Sequence, residues 1–209
     1  MAQSEPQTRP PPVHWLMRFF AKTVLRIFGW TTEVDETLVH GHARYIIIAA
    51  PHTSNWDAIF GGLGFIAEDI GTSIIIKSEW TKMPVIGRFI TAIGGIGIER
   101  SGPLNTIHQI VRLFEQNSQF VLVITPEGTR KKTEGWKKGF YYIAKKANVP
   151  MMLGYPDYRR KVCCIAPIVV FPSGDIEADM QQFSEVLDKV SPKYPSKRTE
   201  MRFRSRVAK

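Results

Sequence analysis

Two residues suited to proton transfer stand five positions apart in this sequence. His52 and Asp57 occur in the run PHTSNWD at residues 51–57. A carboxylate held against one imidazole nitrogen orients the ring and stabilises its protonated form, which leaves the other nitrogen to accept a proton from a hydroxyl group. Positions five apart in an uninterrupted helix, however, point about 140° away from each other. The pair therefore requires His52 to precede a helix whose first turn holds Asp57, and Pro51 and the cap-type residues 53–55 favour such a break.

Two further clusters carry side chains that bind anions. Residues 94–102 form a glycine-rich run that contains Arg100, and residues 125–132 read TPEGTRKK, with Arg130 among them. Arginine offers a planar set of donors that matches the geometry of phosphate. Glu127 in the second cluster is suited to accept a hydrogen bond from a substrate hydroxyl or to orient Arg130. Taken alone, each of the three patterns is more typical of ordinary cap, turn and surface residues.

Strands and helices alternate along the chain in an order that brings these clusters to one edge of a sheet. Apolar runs predict strands at residues 45–50, 72–76, 93–98, 120–124, 149–153 and 162–171, and periodic patterns predict helices at residues 56–68, 103–117, 136–147 and 176–190. This order predicts an α/β fold with a mixed, mainly parallel sheet flanked by helices. Each cluster follows a predicted strand, and ligands of open α/β sheets bind at the carboxyl ends of strands.

The N-terminal part of the chain predicts a helix that lies in a membrane surface. Residues 1–12 are polar and rich in proline, as in a disordered tail. Residues 13–30 combine a wide apolar, aromatic face with a basic stripe of Arg18, Lys22 and Arg26. No charge-free run here approaches the roughly 20 residues that cross a bilayer. An interfacial amphipathic helix is therefore favoured over a core helix with a solvated basic edge.

Charge and cysteine content narrow the choice of partner. The net charge of +9 over 209 residues indicates an anionic partner. Cys163 and Cys164 are the only cysteines, so no disulfide framework exists and no metal site is expected. No recognised nucleic-acid module is present, and nucleic acid is not expected as a partner. Residues 31–190 have the size of one domain, and residues 191–209 form a basic C-terminal tail.

Together, the motifs resemble the four sequence blocks of the glycerolipid acyltransferase family, typified by 1-acylglycerol-3-phosphate acyltransferase. The His-x4-Asp block matches at His52 and Asp57. The acidic-Arg block matches at residues 97–100, and the Pro-Glu-Gly-Thr-Arg block matches at residues 126–130. The fourth block, Val-Pro followed by apolar residues, matches only in part at residues 149–153. The first three blocks, in this order, carry the resemblance.

The resemblance implies a role for each matched residue. His52 would be the general base that deprotonates the acceptor hydroxyl, and Asp57 would hold and polarise the imidazole. A phosphate-bearing acceptor would be positioned by Arg100, Glu127, Gly128, Thr129 and Arg130 and, with a looser match, by Lys77. The hydroxyl would attack an acyl thioester directly, because no nucleophile elbow for a covalent acyl-enzyme is present.

The implied reaction moves a fatty acyl group from acyl-CoA or acyl carrier protein to the hydroxyl of a lysophospholipid, with 1-acylglycerol-3-phosphate as the first choice. The thioester is a co-substrate, and no metal or other cofactor is implied. The resemblance and the basic charge together predict a peripheral or monotopic protein on the cytoplasmic face of a membrane, with anionic lipid as a partner.

Other interpretations stay open at this point. Thr125, Lys131 and the partial fourth block depart from the family pattern. These departures leave room for another acceptor, either a different lysolipid or an amino-acid lipid. Two further alternatives are thioester hydrolysis and a basic membrane- or nucleic-acid-binding protein without catalysis.

Overall fold

The computed structural model describes residues 11–99 and 102–204, and seven strands of this part of the chain form one sheet. The strands are β1 (Thr31–Val34), β2 (Arg44–Ala49), β3 (Thr72–Lys77), β4 (Gly95–Ile98), β5 (Phe120–Ile124), β6 (Met151–Asp157) and β7 (Val162–Val170). Their spatial order is β1-β7-β6-β2-β5-β3-β4. Neighbouring strands are parallel except β6 and β7, so β1 and β7 run opposite to the other five.

Helices cover both faces of this sheet. They are α1 (Trp15–Ile27), α2 (Glu36–His40), α3 (Asn55–Ala67), α4 (Ser78–Thr81), α5 (Ile86–Ala92), α6 (Pro103–Gln116), α7 (Gly139–Ala147) and α8 (Ile176–Leu187). Buried residues of α6, α7 and α8 share a core with Ile46 and Ile48 of β2, whereas Phe65 of α3 packs with Tyr45 and Ile47. Successive side chains of a strand point to opposite faces. The predicted mixed, mainly parallel α/β fold is therefore confirmed.

The central position of β2 determines where the first motif lies. Residues 45–48 of this strand are 0% exposed, as expected for a continuous apolar run with helices on both faces. β2 pairs in parallel with β5 on one side and with β6 on the other. Residues that follow these three strands consequently meet at the carboxyl ends of the strands, near the centre of the sheet.

The N-terminal helix is shorter than the predicted range of residues 13–30. The His14 side chain accepts a hydrogen bond from Leu16 N at the start of α1, and Gly29 adopts a φ of +71° just beyond its end. Trp30 is 5% exposed and stacks on Phe60 with ring centroids 4.3 Å apart, so it belongs to the core. No helix among the described residues is long and apolar enough to cross a membrane.

Several short or extended elements differ from the predicted pattern. β1, α2, α4 and α5 lie where no element was predicted, and each has seven residues or fewer. β6 extends to Asp157 instead of ending at residue 153, because its second half pairs with β7 in an antiparallel register. α7 begins at Gly139, three residues later than predicted.

The basic C-terminal segment packs against the domain up to residue 204. Tyr158 N donates a hydrogen bond to Ser191 O (2.9 Å), and Trp136 N donates to Arg202 O (2.7 Å). Residues 191–204 are thus continuous with the domain that was expected to end at residue 190. Residues 1–10 and 205–209 of the two predicted tails lie outside the described residues.

Candidate active site

The turn between β2 and α3 separates the histidine and the aspartate of the first motif. Ser54 is the N-cap of α3, and its side chain accepts a hydrogen bond from Trp56 N (3.2 Å). Asp57, in the first turn, completes a capping box by accepting from Ser54 N (2.8 Å). His52 lies ahead of the helix, which is the arrangement that the five-residue spacing requires.

The structure brings the two side chains together in a buried corner. His52 Nδ1 lies 3.3 Å from Asp57 Oδ2, and the two side chains are 17% and 6% exposed. The same oxygen accepts hydrogen bonds from Thr53 N (2.7 Å) and Ser54 N (2.8 Å). Asp57 Oδ1 accepts from the Tyr158 hydroxyl (2.8 Å). With donors on both oxygens, the carboxylate has a single well-defined orientation.

Hydrogen bonding keeps Asp57 ionised in this corner. Burial alone would raise its pKa, but hydrogen bonds from His52, from Tyr158 and from the backbone of residues 53–54 outweigh burial and lower the pKa below its ordinary value. Burial and the hydrogen bond to Asp57 raise the pKa of Tyr158, so its hydroxyl stays protonated and donates. An ionised carboxylate against Nδ1 leaves Nε2 of His52 as the nitrogen that accepts a proton.

Glu127 lies against the backbone of the His52 turn. Its Oε1 accepts a hydrogen bond from His52 N (3.0 Å), and the residue is 2% exposed. Burial raises its pKa above the ordinary value, although backbone hydrogen bonds from Glu127 itself and from His52 act to lower it. Oε2 is buried without a hydrogen-bond partner among residues 11–99 and 102–204. This position suits support of the His52 turn, and the predicted contact with an acceptor stays a prediction.

Arg130 reaches the same corner from the loop after β5. Its guanidinium donates a hydrogen bond to the side-chain oxygen of Asn55, the first residue of α3. The Arg130 side chain is exposed. A cationic donor thus stands beside the start of the helix that carries Asp57, in contact with solvent.

The other predicted binding residues are less closely grouped. Gly128 adopts a φ of +66° in the loop after β5, and Thr129 is half-buried with its hydroxyl accepting from Lys131 N (3.4 Å). Lys77 is exposed at the end of β3, and within residues 11–99 and 102–204 no hydrogen bond or ion pair joins it to His52. Arg100 lies outside the described residues.

A large cleft opens beside the His52 and Asp57 side chains. Its volume is about 1490 Å³, and most of its surface is apolar. Pockets for drug-sized ligands span about 300–1,000 Å³, so this cleft has room for a lipid-sized ligand. The lining residues come from α3 on one face of the sheet and from α6 and α7 on the other, and they include Gly128.

Tyr158 is a residue of the site that the motifs did not identify. It follows β6, its ring packs edge-on against Trp30 (5.1 Å between centroids), and its hydroxyl fixes Asp57. A partial signal was present, because β6 runs parallel to β2 and its end must reach the same edge. The contact itself joins residues 101 positions apart and has no local signature.

A model of the Acyltransferase family matches residues 32–158, which is more than half of the chain. The chain belongs to the Acyltransferase family. The matched range contains the His52–Asp57 corner, Glu127, Arg130 and Tyr158, so the residues that converge at the sheet edge are those of the family region.

Curated relatives of this chain match over part of their length. Lysophosphatidylcholine acyltransferase 1 of Homo sapiens is 25% identical over 171 residues, which cover 75% of this chain and 31% of that protein. The 1-acyl-sn-glycerol-3-phosphate acyltransferase of Cocos nucifera is 33% identical over 88 residues, which cover 39% of this chain and 28% of that protein. The chain thus spans less than a third of the length of these relatives.

A solved acyltransferase structure shares the fold. The 1-acyl-sn-glycerophosphate (LPA) acyltransferase PlsC from Thermotoga maritima aligns with a TM-score of 0.58 over 83% of this chain and 76% of that chain. The sequence identity is 18%, so the likeness concerns the fold.

Proposed function

We propose that this acyltransferase moves a fatty acyl group from an acyl thioester, carried by CoA or acyl carrier protein, to the hydroxyl of a lysophospholipid. The leading acceptor is 1-acylglycerol-3-phosphate. The observation that carries the proposal is the 3.3 Å contact between His52 Nδ1 and Asp57 Oδ2 at the wall of a lipid-sized cleft. Relatives named for lysophosphatidylcholine and for 1-acyl-sn-glycerol-3-phosphate support this class of acceptor.

In the proposed mechanism His52 is the general base. Nε2 accepts the proton of the acceptor hydroxyl while the hydroxyl oxygen attacks the thioester carbonyl, and Asp57 stabilises the resulting imidazolium. The tetrahedral intermediate then collapses: the carbon–sulfur bond breaks, and the departing thiolate takes the proton from His52. The new ester and the free thiol balance the reaction without a covalent acyl-enzyme.

Charged residues beside the base hold the acceptor in this mechanism. Arg130, anchored on Asn55 next to the His52–Asp57 corner, binds the acceptor phosphate with a forked set of donors. The family pattern assigns Lys77 and Arg100 to the same phosphate, and this assignment rests on the sequence motifs alone. Glu127 acts through the backbone of His52, because its carboxylate is buried against His52 N.

Acyl transfer by single-residue variants tests the proposal. His52→Ala is expected to lower transfer of a radiolabelled acyl group from palmitoyl-CoA to 1-acylglycerol-3-phosphate by about 10²–10⁴-fold, because the general base is lost. Asp57→Asn should lower it less. His42→Ala, a histidine just before β2, is the matched control and should retain full transfer.

The outcome also separates the alternatives. Undiminished transfer by His52→Ala would rule out the mechanism. Release of free palmitate without formation of phosphatidate would favour hydrolysis. A panel that includes lysophosphatidylcholine and an amino-acid lipid, offered with both palmitoyl-CoA and palmitoyl-acyl carrier protein, identifies the acceptor and the donor.

The membrane surface is the proposed place of the reaction, reached through α1. One side of the helix packs on the domain through Leu25, which is 3% exposed. Six other large apolar side chains of α1 are 45–74% exposed, namely Trp15, Leu16, Met17, Phe19, Phe20 and Ile27, and Phe28 just beyond the helix is 51% exposed. Lys22 and Arg26 are exposed on the same helix and would meet anionic headgroups. A wide apolar arc with adjacent cations suits a helix lying in the lipid interface.

Sedimentation with vesicles tests this membrane contact. Phe19→Ser combined with Phe20→Ser is expected to reduce the fraction of protein that sediments with phosphatidylglycerol-containing vesicles, because two exposed aromatic side chains are lost. Phe171→Ser removes an aromatic residue of similar exposure (57%) away from α1 and should leave sedimentation unchanged. Equal sedimentation of the double variant and the wild-type protein would contradict the interfacial role of α1.

A further inference from the structure

One wall of the cleft carries four cations that none of the sequence motifs includes. Lys137, Lys138, Lys146 and Arg204 all line the cleft that contains the His52–Asp57 pair. Asp57 is the one acidic residue among the described lining residues, and it is already engaged by its own hydrogen bonds. The wall is therefore strongly positive where it borders an apolar cleft.

Two of these lysines lie along one face of α7. Lys138 is the residue directly before the helix and Lys146 lies in its last turn, with the exposed ring of Tyr142 between them at four-residue spacing. Residues at this spacing share a helix face, and eight positions correspond to about 12 Å along the axis. The cations thus form a rim that leads away from the catalytic edge of the sheet.

The opposite side of this rim is apolar and comes from α6. Leu104 is 64% exposed, and it lines the cleft together with Ile107. The Lys146 ammonium lies 3.1 Å from Nε2 of His108 on α6, which brings the two helices together along the groove. The groove therefore offers apolar contacts along its length and cations at its rim.

The remaining two cations are fixed beside the motif that follows β5. Arg204 Nε donates a hydrogen bond to Gly135 O (2.7 Å), which holds the C-terminal segment against the cleft. Lys137 lies over Gly128, since a Cβ at that glycine would be 3.0 Å from the lysine Nζ. Neither residue, nor Lys138 or Lys146, forms an ion pair with another residue of the described chain. The positive wall therefore has no carboxylate of its own to balance it.

The reaction proposed above has two phosphate-bearing substrates, and among the described residues the cations available to them differ in position. Arg130 and Lys77 do not line the cleft, whereas the four cations of the wall do. We propose that Lys137, Lys138, Lys146 and Arg204 bind the phosphate groups of the acyl donor, the phosphopantetheine thioester of CoA or acyl carrier protein. The acceptor phosphate then binds separately at Arg130. This assignment rests on the proposed function, because it identifies the substrate by the chemistry of that reaction.

Donors with and without phosphate test the assignment. The double variant Lys138→Ala/Lys146→Ala is expected to raise the KM for palmitoyl-CoA roughly tenfold or more, because contacts between a cation and phosphate are lost. S-palmitoyl-pantetheine has the same reactive thioester but no phosphate, and its transfer should be unaffected. Unchanged transfer from this donor also shows that the variant is folded.

A matched variant controls for the loss of two positive charges. Lys145→Ala/Lys189→Ala removes two exposed lysines that do not line the cleft, and the KM for palmitoyl-CoA should stay as in the wild-type protein. The KM for 1-acylglycerol-3-phosphate should be unchanged in both double variants. An equal loss with palmitoyl-CoA and S-palmitoyl-pantetheine, or no loss with either, would overturn the donor site.

Two further arms separate the sources of the phosphate and the two proposals. A penalty with both palmitoyl-CoA and palmitoyl-acyl carrier protein assigns the wall to their common phosphopantetheine phosphate, and a penalty with palmitoyl-CoA alone assigns it to the nucleotide phosphates. Titration calorimetry of the full chain with free CoA measures binding without turnover. CoA binding that Lys138→Ala/Lys146→Ala weakens, in a protein without transfer activity, would sink the proposed function and leave the donor site standing. If the wild-type protein transfers the acyl group normally and Lys138→Ala/Lys146→Ala has the same KM for palmitoyl-CoA, the donor site alone is ruled out.

Discussion

Asp57 and Arg130 lie at the same edge of the sheet, yet their surroundings differ sharply. Asp57 is 6% exposed at its side chain and is held by His52, Tyr158 and two backbone N–H groups. Arg130 is exposed and contacts Asn55. Proton transfer is sensitive to a misplacement of about 1 Å, whereas attraction between a cation and a phosphate acts over several ångströms. Burial and hydrogen bonds therefore fix the proposed catalytic pair, whereas the proposed anion-binding group is exposed to solvent.

The exposed side of this comparison is expected to show the larger effect on substrate binding. Arg130→Ala should raise the KM for 1-acylglycerol-3-phosphate roughly 10–100-fold, because hydrogen bonds to a charged group are lost, and should change kcat less. The acceptor KM of Arg130→Lys should lie between those of the wild-type protein and Arg130→Ala, since lysine retains the charge but loses the forked geometry. Steady-state kinetics with varied acceptor measures both constants.

Lys132→Ala is the matched control, because Lys132 is exposed in the same loop and has no predicted role. An Arg130→Ala variant with an unchanged acceptor KM would break the comparison. A loss confined to kcat would mean that Arg130 acts on the transition state.

Loss of a hydrogen bond to the buried Asp57 is expected to have a smaller effect than loss of Arg130, and the effect should be on kcat. Tyr158→Phe removes one of the hydrogen bonds to Asp57 and leaves the others in place, so kcat should fall several-fold while the acceptor KM changes little. Tyr194→Phe removes a hydroxyl from the neighbouring C-terminal segment, where the ring is 41% exposed, and should leave kcat unchanged. Equal kcat values for Tyr158→Phe and the wild-type protein would show that the orientation of Asp57 does not depend on Tyr158.

A second readout of Tyr158→Phe depends on pH. The folded-state pKa of Asp57 is lowered, so its contribution to stability is present above the unfolded pKa, about 3.9, and is lost as the pH falls through the folded value. Tyr158→Phe should reduce the free energy of unfolding at neutral pH, and the difference from the wild-type protein should shrink in acid. Denaturant unfolding at pH 7 and near pH 3 measures this change. A difference independent of pH would indicate lost packing instead of a lost hydrogen bond to the carboxylate.

The long buried elements were predictable because their patterns are strong. β2, β5 and α6 follow from apolar runs and periodicity, and the order of these elements fixed the fold class. β1 and α5 were missed because four and seven residues carry too little pattern to distinguish an element from a loop. The packing of residues 191–204 was missed because a basic, proline-containing segment has no local signature of burial.

The candidate site was predictable only as far as local sequence determines it. The capping residues before Asp57 signalled the break that brings His52 and Asp57 together, and that prediction matches the geometry. The burial of Glu127 against His52 N was not predictable, because it depends on how β5 sits beside β2. Tyr158 and Arg204 reach the site through tertiary packing across long stretches of sequence.

The hydrogen bond between Tyr158 and Asp57 also bears on when the site forms during synthesis. The two residues are 101 positions apart, and the hydrogen bond from His52 N to Glu127 joins residues 75 positions apart. Ribosomes add about 5–20 residues per second, so these partners emerge on the order of ten seconds after the histidine. A nascent chain therefore carries His52 and Asp57 for some seconds before Tyr158 can hold the Asp57 carboxylate. The arrangement of the site can be completed only after residue 158 has been translated.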